Sequence, residues 1–161
     1  YKAMTPAAID GGDNSTVRLD RDNEPQTDVL LRLDRQAGGN SSIDADGHIK
    51  GLPELIVEIA TSTASNDLGD KLRSYRRNGV QEYIVWQVFE EKIDWFYLDN
   101  DEYVDLSTDT DGITRSQVFP GLWLDKKALI ESNMQQVIDT LQQGLSSKEH
   151  QTFVNQIRSL D

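Results

Sequence analysis

The run LPELIVEIATSTASNDLGDKLRSYRRNGVQEYIVWQV, residues 52–88, changes its hydrophobic period twice, and that double change limits the folds open to the chain. Residues 54–60, ELIVEIA, are apolar without alternation except at Glu58, the pattern of a strand covered on both faces. Residues 67–78 then place Leu68, Leu72 and Tyr75 on one helical stripe. Ser65 or Asn66 stands where an N-cap is needed, Asp67 and Asp70 occupy the first turn, where acids suit the helix dipole, and Gly79 can end the helix. Residues 80–88 return to strand character. Strand, loop, helix, short turn and strand is the grammar of a parallel crossover, so the two strands are expected side by side or nearly so. The expected fold class is α/β (α+β), with a mixed central sheet flanked by helices.

The flanks fill in this frame. VRLD at 17–20 reads as a short strand, and DVLLRL at 28–33 as a second one following Pro25. Residues 34–47, rich in Gly, Ser, Asn and Asp, are expected as a loop that continues into an irregular segment or short hairpin. KIDWFYL and EYVDL form a meandering hairpin around DND. Two helices are expected at 126–141 and 147–160, the second capped by Ser146 or Ser147 with Glu149 nearby. The expected organisation is a core over 1–125 with a helical extension of the same domain over 126–161. The chain opens on Tyr1, so it is expected to be an excerpt with an incomplete N-terminal part.

At 161 residues one domain suffices, burying about two-thirds of its unfolded surface. The absence of cysteine excludes disulfides, thiolate zinc sites and a cysteine nucleophile. No run approaches the roughly 20 apolar residues of a membrane span and no signal peptide is visible, so a cytoplasmic protein without a membrane partner is expected. The net charge of −12 argues against a phosphate-rich partner. Its distribution weakens that objection, because residues 90–111 hold nine acids against one base, Lys92, which reads as a solvated hairpin. KLRSYRR, residues 71–77, carries four bases and no acid, and Arg18, Arg21, Arg32 and Arg35 punctuate the N-terminal third. A local basic surface is therefore compatible with the overall acidity.

Glu58 carries the chemical question. A carboxylate inside a buried strand is costly unless it is protonated, paired or bound to a metal. One reading places it at an exposed strand end bonded to an arginine. The other needs a second hard oxygen ligand, which Asp28 supplies, and a nearby lysine, which Lys71 supplies. Mg²⁺ takes one or two carboxylates plus substrate phosphate and water, and a lysine stabilises charge on the attacked phosphate. Tyr75 either faces this site or belongs to the core stripe. Gln81 and Glu82 read as polar residues at a strand end, Trp86, Trp95 and Trp123 as core, and His48 and His150 lack ligand spacing for zinc.

Over residues 24–125 the chain resembles the Uma-two family of restriction-endonuclease-like proteins, a branch of the PD-(D/E)XK nuclease superfamily. The resemblance rests on EPQTDVLLRL, GLPELIVEIATSTASNDLGDKLRSYRRNGVQEYIVW and FPGLWLD. It implies a restriction-endonuclease-like fold and metal-dependent hydrolysis of DNA with Mg²⁺ or Mn²⁺. By this resemblance Asp28 matches the first acid, Glu58 the second, and Lys71 a lysine moved from the strand to the helix, while Ala60 occupies the usual lysine position. Thr27 stands where the family has proline. Arg73, Arg76 and Arg77 are then the candidate DNA-backbone contacts. The alternative is a non-catalytic interaction or regulatory module on the same fold. Phe153, Val154 and Ile157 form a helix face that docks on the domain or on a second copy, which keeps a homodimer open.

Overall fold

The computed structural model describes residues 1–19, 24–61 and 67–159, without the side chains of Asp67 and Leu68. Its centre is an eight-stranded sheet made of β1 (Ile9–Arg18), β2 (Gln26–Leu33), β3 (Asn40–Ile43), β4 (Ile49–Leu52), β5 (Leu55–Ala60), β6 (Glu82–Gln87), β7 (Lys92–Asp99) and β8 (Glu102–Asp105). The strand order is β3-β4-β1-β2-β5-β6-β7-β8. β5 and β6 are parallel neighbours, as the crossover grammar requires, and β1 with β4 is the other parallel pair among the described residues. The fold is thus a large mixed sheet flanked by helices.

Residues 67–78 begin with a π turn, Asp67–Lys71, that runs into α1 (Leu72–Asn78). Gly79 ends α1 at φ 87°, a left-handed conformation that glycine adopts without steric cost. The expected caps, Ser65 and Asn66, lie outside the described residues, as do the side chain of Leu68 in the stripe and Arg21. α1 packs on one sheet face, where Tyr75, Ile56, Ala60, Tyr83 and Val85 form a core. The opposite face carries a second core of Leu55, Ile84, Trp95, Phe119 and Ile157.

The C-terminal part differs in detail from the expectation. A small antiparallel ribbon, β9 (Ile113–Arg115) with β10 (Trp123–Asp125), precedes α2 (Lys126–Ile130), α3 (Met134–Leu145) and α4 (Lys148–Arg158). One expected helix over 126–141 is two, because Ser132 turns to φ 58° and Asn133 then caps α3 by accepting the Gln136 N–H. Ser147 proves to be the α4 cap, accepting the His150 N–H, a contact typically worth about 1 kcal/mol. α3 approaches the turn before β10 so closely that a Cβ on Gly144 would lie 2.3 Å from the Gly121 carbonyl oxygen.

Two N-terminal readings also change. The first strand is ten residues long rather than a short piece at 17–20, because its glycines and polar residues conceal a strand that β2 holds in antiparallel register from Ile9 to Thr16. Residues 34–47 are not simply a loop, since Asn40–Ile43 pairs with Ile49–Leu52 as a hairpin at the sheet edge. Two of the N-terminal arginines are committed within the fold. Arg32 is 3% exposed, donates to the Ser41 hydroxyl and carbonyl, and pairs with Asp10 and Asp34. Arg18 pairs with Glu24 and Asp44.

Candidate active site on the α1 face of the sheet

The antiparallel register of β2 on β5 sets Leu30 against Ile56 and Val29 against Val57. Asp28 and Glu58 therefore meet at the next rung, on the face that Leu30 and Ile56 share with α1. Residues opposed in this way have Cβ atoms about 5 Å apart. The Lys71 ammonium lies 2.9 Å from one Glu58 oxygen, and the Tyr75 hydroxyl donates to the other at 2.8 Å. Asp28 accepts the Ile59 N–H at 2.6 Å through one oxygen, and its second oxygen has no partner among the described residues. The structure thus brings Asp28, Glu58, Lys71 and Tyr75 together. Glu58 is not at an exposed strand end bonded to an arginine, since it is 2% exposed and its cation is a lysine.

Tyr75 is both things at once. Its ring is wholly buried against Tyr83, with centroids 5.0 Å apart, while its hydroxyl reaches Glu58.

Three buried glutamates show what sets Glu58 apart. Glu54 accepts the Leu33 and Asn40 backbone N–H groups at 2.7 and 3.1 Å. Glu82, fully buried, accepts from Trp95, from the Ser116 hydroxyl and from the Gln117 and Val118 backbone. Both tie distant backbone segments together. Glu58 accepts only from side chains, Lys71 and Tyr75, among the described residues. A partly exposed side chain such as Lys71 can turn aside for a ligand, whereas backbone donors move only with the segment that carries them.

Burial pushes the carboxyls of Glu54, Glu58 and Glu82 above the usual glutamate value of 4.5. At Glu58 the Asp28 charge pushes the same way, and Lys71 and Tyr75 oppose it. A raised carboxyl contributes stability that is complete below its unfolded pKa and is lost as pH rises through its folded pKa. Asp44 and Asp109 act oppositely, held below 3.8 chiefly by the backbone N–H groups of His48 and Ile113, so their contribution is lost as pH falls through those lowered values. The thermal midpoint should accordingly be higher near pH 5.5 than near pH 8. Calorimetric scans at the two pH values check this, and a higher midpoint at pH 8 would contradict it.

The candidate backbone contacts lie along α1. Arg73 pairs with Asp70 at 2.6 Å, Arg76 pairs with Glu102 and also donates to the Asp101 carbonyl, and exposed Arg77 has no ion pair among the described residues. These arginines line a cavity of about 680 Å³ with Asp101 and Glu102. One further group was not picked out in the sequence: Asp44, Asp46 and His48, whose ligand atoms lie within 4.8 Å of one another in the β3–β4 turn. Its D-x-D-x-H spacing is legible, but Asp44 is committed to Arg18 and to the backbone of Asp46 and His48.

No curated protein matches the chain. Among solved structures, the fold is similar to a protein described as a "putative nuclease belonging to DUF820" from Anabaena variabilis ATCC 29413, with a TM-score of 0.54 and 13% identity. The match covers 76% of this chain and 70% of that one. The family model Uma2, described as "Putative restriction endonuclease", matches residues 6–127. That span contains every residue of the Asp28, Glu58, Lys71 and Tyr75 constellation, and the chain belongs to the Uma2 family.

Proposed function

We propose that this protein is a metal-dependent endonuclease that hydrolyses DNA phosphodiester bonds, with Asp28 and Glu58 as ligands of Mg²⁺ or Mn²⁺. The observation that carries the reading is the meeting of two carboxylates on one sheet rung beside a lysine. The donor set fits a hard cation, since the second Asp28 oxygen has no partner among the described residues and Lys71, which holds one Glu58 oxygen, is a partly exposed side chain that can turn aside. Such an ion supplies Lewis acidity toward the phosphate and a lowered pKa for bound water. The residues do the rest. Tyr75 fixes the Glu58 carboxylate, Lys71 stabilises charge growing on the phosphate oxygens, and the buried sheet face keeps both in place. Arg73, Arg76 and Arg77 are the candidate contacts to the flanking backbone, with Arg77 the most available.

A second reading, a non-catalytic interaction module, is favoured by one observation: both Glu58 oxygens already have internal partners. Nicking of supercoiled plasmid in Mg²⁺ or Mn²⁺ separates the two. The endonuclease reading expects cleavage by the parent protein and a loss of about 10²-fold or more in Asp28→Asn and in Lys71→Ala. Cleavage that persists undiminished in both variants, or that is missing from the parent, contradicts it.

A further inference from the structure

The rung that joins Asp28 to Glu58 continues across the sheet. Glu58 faces Val85 in the parallel β5–β6 pair, and Val85 faces Asp94 in the antiparallel β6–β7 pair, so Asp94 points to the same face. Gln87 stands one step along this face, opposite Ala60. Both are polar residues in a nearly closed setting, with Gln87 6% and Asp94 9% exposed. The Gln87 amide nitrogen donates to one Asp94 oxygen, and the other Asp94 oxygen takes the Lys92 ammonium at 2.8 Å.

This arrangement fixes the amide. With the Gln87 NH₂ donating to the Asp94 carboxyl oxygen, the carbonyl oxygen Oε1 turns away from Asp94. Oε1 has no hydrogen-bond partner among the described residues and is not among the enclosed unpaired polar atoms, so the small exposed part of this residue includes its carbonyl oxygen, within reach of water. A diagonal neighbour on an adjacent strand lies about 7–8 Å away, a separation that a glutamine and one water can span. Ala60, directly beside it, presents only a methyl group on this face.

We propose that Gln87 is a positioning residue of the proposed active site, with Oε1 accepting a hydrogen bond from the water that attacks the phosphate, and that Asp94 holds the amide in the orientation this requires. The inference rests on the endonuclease reading and adds to it the group that aims the nucleophile. A neutral acceptor orients water without adding a third negative charge beside Asp28 and Glu58.

The test is a Mg²⁺ titration of the ¹⁵N-labelled protein, following the Ile59 backbone amide and the Gln87 side-chain amide, the latter assigned by its absence in Gln87→Met. The Ile59 N–H donates to Asp28 and so reports on the carboxylate pair. Concerted shifts of both signals are expected, with the Gln87 shift lost in Asp94→Asn, where the amide is free to turn over. Movement of Ile59 with a silent Gln87 overturns the inference and leaves the metal site standing. Silence of both overturns the metal site and the inference with it. In plasmid nicking, Gln87→Met and Asp94→Asn should each lower kcat by about 10²-fold with KM little changed, and the double variant should be no worse than either. A merely structural pair would instead lower the thermal midpoint while leaving kcat intact.

Discussion

Glu58→Gln will make the folded protein more stable at pH 8 while removing the divalent-cation binding and the cleavage proposed for this site. The side chains are isosteric and the Tyr75 hydroxyl can still donate to the amide oxygen, so no cavity opens. What disappears is the cost of an ionised carboxylate that is 2% exposed and pushed above 4.5 by burial and by Asp28. Lys71 loses this one ion pair, and its side chain is 34% exposed and can turn to water. The gain should be about 1 kcal/mol, or roughly 3 °C in Tm for a chain of this size, and should fade as pH falls and the parent carboxyl takes up its own proton. Active sites commonly hold groups that stability alone would not choose. A Glu58→Gln protein that melts well below the parent at pH 8 would mean that Glu58 is a structural carboxylate.

Glu82→Ala will behave in the opposite sense, costing about 3–5 kcal/mol. Glu82 is entirely buried and is shared by four donors, and the substitution leaves the Trp95 indole N–H, the Ser116 hydroxyl and two backbone N–H groups without their acceptor. Each unsatisfied buried donor costs about 1–3 kcal/mol, and partial relaxation keeps the sum below simple addition. Ser116 in turn holds the Phe119 N–H, so the damage spreads through residues 116–119 to the second core, in which Phe119 is wholly buried. Chemical denaturation will show a lowered midpoint. A loss under 1 kcal/mol would indicate that this loop carries little of the fold's stability.

The contrast between these glutamates explains how far the sequence could be read. The parallel pair, the helix between its strands and the meeting of Asp28, Glu58 and Lys71 were legible, because a buried crossover imposes periodicity and an acid inside an apolar strand is conspicuous. Glu82 looked like an ordinary polar residue at a strand end, and only the tertiary path of residues 116–118 back onto β6 shows that it is wholly enclosed. The long first strand was hidden because glycines and polar residues carry no alternation, and its register comes from β2. Gln87 and Asp94 were invisible for a related reason: Asp94 sat within a run of nine acids that reads as solvent-exposed, and strand pairing alone turns it inward beside Val85. The arginines of α1 were legible as a basic run, but the carboxylates that answer Arg73 and Arg76 include Glu102 at the start of β8, whose approach to α1 has no local signature.

The central claim is that Asp28 and Glu58 hold one divalent cation between them. Calorimetric titration of the protein with Mn²⁺ at pH 8 tests it most directly, with Asp28→Asn and Glu58→Gln as the paired variants. The account predicts a single site in the parent that is lost in each variant while both remain folded. Binding that survives in either variant, or no binding in the parent, contradicts it.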